Sequence, residues 1–266
     1  MDVIARNNVR VRGRPTGPTL MLAHGFGCDQ NLWRLIVSRL QDDFRLVLFD
    51  HVGSGASDPA AWDAQRYSSL QGYADDIGQV MAALDLTEVV FVGHSVAAMM
   101  GVLAVADDPR RFAKLILLTP SPCYLDHDGY TGGFSRADID DLLESMESNY
   151  LGWSRTMGPT VMGTPDRPEL EAELTDAFCR NDPAKARVFA RTTFLSDNRD
   201  DLPRVSVPTL IVECSHDTLA PKAVGAYTAG HIPGSRLVTI DATGHCPQLS
   251  APDPTAAAIA EFAAHP

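Results

Sequence analysis

Through the first half of the chain, short apolar runs that suit buried strands alternate with longer segments whose apolar residues recur at helical spacing. The strand runs are Thr19–Ala23, 45–50, 89–94 and 114–118, and the helical patterns cover 70–84 and 96–106, the second stopping before Asp108-Pro109. Such alternation predicts an α/β fold, a mostly parallel sheet with helices on both faces. The pattern changes after Thr119-Pro120-Ser121-Pro122. From 123 to 197 no run suits a strand, and four amphipathic helical patterns follow one another at 137–150, 150–160, 168–180 and 183–194, with Gly163-Thr164-Pro165 breaking them into two pairs. Strand signal returns at 207–214 and 235–240, and an Ala-rich helix closes the chain around 254–264. The expected organisation is a core domain from 1–122 and 198–266, interrupted at 123–197 by a four-helix lid over the carboxyl edge of the sheet. In parallel sheets ligands gather at that edge.

A length of 266 residues with 45% hydrophobic content fits one large domain with an inserted lobe. The excess of 34 acidic over 22 basic residues, a formal charge of -12, argues against nucleic acid and anionic membranes as partners. No stretch approaches the roughly 20 apolar residues of a membrane span, and the residues from Met1 to Asn8 do not resemble a secretory signal. The cysteines at 28, 123, 179, 214 and 246 are odd in number and lack C-x-x-C pairing, so reduced thiols and a cytoplasmic location are expected. The glycines at 53 and 55 do not form G-x-G-x-x-G, and no His/Cys/Asp group shows metal-ligand spacing. Neither a dinucleotide cofactor nor a metal is expected.

The break from strand to helix falls at Gly93-His94-Ser95-Val96-Ala97. A serine at such a turn has the form of a nucleophile elbow, whose flanking positions must be small. Gly93 and Ala97 are small, although Ala97 stands where the pattern usually has a second glycine. A serine nucleophile needs a base, and the base needs a carboxylate to orient it. Asp217 follows the 207–214 strand and His245 lies in the loop after the 235–240 strand, in the chain order Ser, Asp, His. Alternatives are open at this stage: His216 as the base, Asp126 or Asp128 as the acid, and Asp217 as a mere helix cap. Cys246 has no elbow and reads as packing. His24-Gly25-Phe26-Gly27 after the first apolar strand is a glycine-rich turn suited to an oxyanion hole, with the amides of Phe26 and Val96 as donors. The aromatic and apolar residues of the lid, Met157 among them, imply an apolar cavity above Ser95.

With these parts assembled, the chain resembles the α/β-hydrolases, and over essentially its whole length it resembles the RsbQ-type bacterial stress-signalling hydrolases and their plant relatives, the strigolactone and karrikin receptors. The segments that carry the resemblance include His24 to Asn31, Phe49 to Gly55, Ser121 to Leu125, Gly132-Gly133-Phe134, Ser148-Asn149-Tyr150, Phe194 to Asp197 and Gly244-His245-Cys246-Pro247. The resemblance implies Ser95, His245 and Asp217 as nucleophile, base and acid, and Tyr124, Phe134, Trp153 and Phe194 as lining of the lid cavity. It implies a positive regulator of a sigma-factor stress pathway that works with a PAS-domain PP2C-type phosphatase. Besides Ala97, one departure stands out: Gln248 occupies a position where histidine is expected. A metabolic carboxylesterase or lactonase without a partner, and a binding protein with vestigial catalysis, are the competing expectations.

Overall fold

A computed structural model describes residues 2–264. The outermost expected bounds of the two core segments, residues 1 and 265–266, lie outside the described residues. Seven strands form one sheet: β1 Arg10–Gly13, β2 Thr19–Ala23, β3 Arg45–Leu48, β4 Val89–His94, β5 Phe112–Leu118, β6 Thr209–His216 and β7 Arg236–Thr243. Their spatial order is β1-β3-β2-β4-β5-β6-β7, with β1 antiparallel to β3 and every other pairing parallel. The helices are α1 Val3–Arg6, α2 Arg34–Leu40, α3 Leu70–Ala83, α4 Val96–Asp107, α5 Arg136–Ser148, α6 Tyr150–Met162, α7 Pro168–Cys179, α8 Pro183–Phe194, α9 Lys222–His231, α10 Pro247–Ser250 and α11 Pro252–Ala264.

Strand residues alternate between two cores, because successive side chains leave a strand on opposite faces. Met21, Val47, Phe91 and Leu117 pack with α3 and α4 on one side. Leu20, Leu22, Val90, Val92 and Ile116 pack with Ile36 and Leu40 of α2 and Ile259 and Phe262 of α11 on the other. Strands buried on both faces explain why the central runs read as continuously apolar. Helix α4 is apolar all round and buried from Val96 to Val105, as a helix wedged between a sheet and another helical layer must be.

Helices α5 to α8 lie between β5 and β6. They build a third cluster with residues of the loops at the sheet edge, including Cys28, Leu32, Tyr124, Ile139, Trp153 and Phe178. Within this insertion the chain forms only isolated bridges, such as Cys123 with Asp197 and Leu125 with Phe134. Strand β1 and helices α1, α2, α9 and α10 go beyond the sequence reading. Strand β1 is exposed throughout, so its Arg-Val-Arg-Gly carries no buried stripe and joins the sheet by pairing with β3. Helix α9 contains two glycines and buries only Val224, Gly225 and Thr228, which left its periodicity too weak to see.

Candidate active site

Ser95 sits between the end of β4 and the first turn of α4 with φ 56° and ψ −124°. This backbone conformation is costly for a residue with a Cβ. It is held by the Ser95 N–H donating to Leu118 O at 2.9 Å and by the Ala98 N–H donating to Ser95 O at 2.9 Å. Position 93 must be glycine, since a Cβ there would lie 2.4 Å from the Ala97 carbonyl oxygen and 2.8 Å from the Ala98 Cα. The contact falls on helix backbone, and the Ala97 methyl packs in the core with α3 and β4. Alanine at 97 is therefore accommodated.

His245 Nδ1 lies 2.8 Å from Asp217 Oδ2 and 3.0 Å from Oδ1, and His245 Nε2 lies 2.8 Å from Ser95 Oγ. With Nδ1–H donated to the carboxylate, Nε2 carries the lone pair that accepts the Ser95 hydroxyl proton. Both side chains of the His–Asp pair are 2% exposed. Asp217 is aimed by its own turn, where Oδ1 accepts the N–H groups of Leu219 at 2.8 Å and Ala220 at 3.1 Å. The turn bonds and the histidine bond thus belong to the same carboxylate, and the N-cap position of α9 is Pro221 rather than Asp217. The His245 main chain is pinned as well: its N–H donates to Val161 O at the end of α6, and its carbonyl accepts from His94 Nε2 at 2.9 Å and Thr119 Oγ1 at 3.2 Å.

The turn His24 to Gly27 lies directly against the serine, since a Cβ on Gly25 would stand 3.1 Å from Ser95 Cβ. It is braced by paired histidines. The His51 N–H donates to His24 Nε2 at 3.2 Å, His24 Nδ1–H to Gly25 O at 2.9 Å, and His51 Nε2–H to the His24 carbonyl at 2.9 Å. Val96 opens α4, where the first N–H groups have no acceptor within the helix.

Residues 18–252 match the model of the α/β-hydrolase fold family. The chain belongs to that family. It is 38% identical over 248 residues to the karrikin insensitive 2 receptor CA of Petunia hybrida, covering 93% of this chain and 92% of the relative. It is 37% identical over 263 residues to a strigolactone esterase of Arabidopsis thaliana, covering 98% and 96%. Among solved structures, a hydrolase from Oleispira antarctica superposes with a TM-score of 0.97 at 40% identity, over 100% of this chain and 97% of that one. This α/β-hydrolase is thus related to the plant strigolactone and karrikin receptors.

Beside Ser95 and His245 the hydrolase encloses a cavity of about 30 Å³. Tyr124, Trp153, Met157 and Phe194 line it, together with Phe26 and His94. Phe134 does not, which corrects its expected place in the lining: it stands behind Tyr124, with ring centroids 6.3 Å apart. Thr193, Leu219 and Cys246 line the cavity without having been expected there. The loop neighbours of His245 and Asp217 gave a signal for Cys246 and Leu219, while Thr193 sits in α8 with none. The Tyr124 hydroxyl lies 3.4 Å from Ser95 Oγ. Burial pushes its pKa up to about 12, so it stays a protonated donor.

The open alternatives are resolved by position. His216 is exposed and bonds its neighbour Ser215 at 3.2 Å. Asp126 accepts the N–H groups of Gly132 and Gly133 at 2.8 and 2.9 Å, and Asp128 is exposed. The Cys246 thiol is pushed well above its ordinary pKa by burial, which keeps it protonated. Burial also lowers His24 and His51 and pulls His94 down to about 3. The site is therefore surrounded by neutral imidazoles.

Proposed function

We propose that this protein is a serine hydrolase of small hydrophobic esters or lactones, with Ser95 as nucleophile, His245 as general base and acid, and Asp217 as the orienting carboxylate. The unbroken chain from Asp217 through His245 to Ser95 Oγ, with both links at 2.8 Å, carries this reading. His245 Nε2 takes the Ser95 proton as Oγ attacks the carbonyl carbon, and the negative charge moves to the carbonyl oxygen. The amides of Phe26 and Val96 stabilise that oxyanion. Collapse expels the alcohol or enol, which takes the proton from His245. Water, deprotonated by His245, then releases the acid and restores Ser95. Asp217 holds the imidazole in the required tautomer throughout.

Substrate chemistry follows from the walls. Tyr124, Trp153, Met157 and Phe194 offer apolar contact with one protonated hydroxyl, which suits a compact, uncharged acyl group. The identity to plant receptors over nine tenths of the chain favours a signalling role, in which a slow cleavage changes a surface read by a partner. A PAS-domain PP2C-type phosphatase is the partner implied by the RsbQ-type resemblance. A cytoplasmic location accords with five free cysteines. Among the described residues no helix is long and apolar enough to cross a membrane.

Hydrolysis of p-nitrophenyl acetate by the wild type and by Ser95→Ala tests the catalytic reading. Release of p-nitrophenol that vanishes in the variant supports it, and equal rates in both sink it. Pull-down of a recombinant PAS-PP2C phosphatase tests the signalling reading separately. Turnover without capture leaves a metabolic carboxylesterase or lactonase.

A further inference from the structure

Away from the active site, Cys123, His127 and Asp197 each bring one ligand atom to within 4.8 Å of the others. We propose that this hydrolase binds a zinc-like divalent cation at Cys123, His127 and Asp197, where the helical insertion leaves the core and returns to it. A thiolate, an imidazole nitrogen and a carboxylate oxygen are the donors zinc takes, whereas magnesium and calcium prefer oxygen alone.

The spacing agrees with the donor set. Cys123 Sγ and His127 Nε2 are 3.5 Å apart. Two ligands on a tetrahedral zinc, with bonds of about 2.3 Å to sulfur and about 2.0 Å to nitrogen, stand about 3.5 Å from each other. The backbone that carries them is braced. Cys123 and Asp197 face each other in an isolated antiparallel bridge, and His127 forms another with Tyr130. The Asn198 N–H donates to Pro122 O at 2.7 Å, and the Tyr130 hydroxyl donates to Cys123 O at 2.6 Å. His127 and Asp197 are exposed and Cys123 is buried, so an arriving ion meets two outer ligands before the thiol. Water fills the fourth position. Binding displaces the Cys123 thiol proton to solvent, and the thiolate offsets one charge of the ion.

Arg199 is the competitor. Its Nε and Nη2 donate to Asp197 Oδ1 and Oδ2 at 2.8 and 2.6 Å. A cation must share that carboxylate, and the guanidinium retains its place 4.9 Å over the Tyr130 ring. The site would act on the cavity through one residue. Tyr124 follows Cys123 directly and its hydroxyl reaches Ser95 Oγ, so an ion would pin the segment that carries it. The four-residue spacing of Cys123 and His127 shows only two ligands in the sequence, since Asp197 comes from the far end of the insertion.

Titration of the purified full chain with cobalt(II) tests the proposal. The expected result is a thiolate-to-cobalt absorption that saturates at one ion per chain and disappears when zinc is added. Cys123→Ser removes the band. His127→Ala, at an exposed position, weakens binding by more than the roughly 10–100-fold that losing a residue which only orients a ligand costs, and Arg199→Ala strengthens it. Zinc should also raise the melting temperature of the wild type and not that of His127→Ala. No thiolate band, or a band unchanged in both Cys123→Ser and His127→Ala, overturns the proposal.

Discussion

The loops at the carboxyl ends of the strands and the four inserted helices meet at one cavity, yet different forces hold them. The loops are fixed by directional hydrogen bonds: Ser95 to Leu118, Asp217 to the amides of Leu219 and Ala220, and the His245 carbonyl to His94 and Thr119. The insertion is held mainly by apolar packing, with Trp153 stacked between Tyr150 and Phe178 at ring centroid distances of 6.1 and 5.7 Å. Hydrogen bonds fix atoms within tenths of an ångström, as proton transfer requires. Apolar packing tolerates exchange of side chains at similar volume. On the proposed reading, the loops carry the reaction chemistry and the helices the substrate choice. Val161 is one point of contact between the two regimes, since its carbonyl at the end of α6 accepts the His245 N–H, and Asn181 is another, its Nδ2–H donating to Gly27 O at 2.8 Å.

The largest expected effect breaks the loop side of this comparison. Ser95→Ala should lower ester turnover by on the order of 10⁶-fold, the scale of serine removal from such a triad, with ligand binding followed by tryptophan fluorescence largely kept. Asp217→Asn should cost about 10⁴ in kcat, because the amide stabilises the wrong tautomer of His245. A variant with near-normal kcat would show that Asp217 serves only to brace its turn.

Acid should weaken the loops through their buried histidines. His94 titrates near 6.5 in the unfolded chain and at about 3 when folded. Below about pH 6.5 the unfolded state therefore takes up a proton that the folded state refuses. The stability is present in full above that pH and falls by about 1.4 kcal/mol per pH unit for His94 alone. His24 and His51 are shifted in the same direction and steepen the loss. Urea unfolding at several pH values between about 7.5 and 5.5 checks this, and a flat profile would contradict neutral burial. The smallest effect sharpens the insertion side. Met157→Ala enlarges the cavity and should raise kcat/KM for butyrate over acetate esters by about tenfold, with kcat for acetate nearly unchanged. A fall in both would place Met157 among the groups that position the reaction.

Much of the catalytic arrangement was legible because each part follows a strand that the apolar pattern marks. Gly93-His94-Ser95 ends one such run, and Asp217 and His245 lie three and five residues past others. Less legible was anything defined by a partner distant in sequence. Phe134 and Phe194 looked equivalent as aromatic residues of the insertion, but only Phe194 reaches the cavity. Strand β1 was invisible because an exposed edge strand needs no apolar stripe. Gln248 is fully buried, with neither amide atom hydrogen-bonded among the described residues.

Local patterning by itself determined the alternating core, the helical interruption and the serine turn, because burial on a sheet face and a tight backbone turn each restrict residues near in sequence. Only the tertiary structure decided which histidine meets Ser95, which carboxylate meets that histidine, and that Cys123 and Asp197 stand side by side. These depend on how segments far apart in the chain pack against one another. No period of hydrophobic residues encodes the distance between two loops.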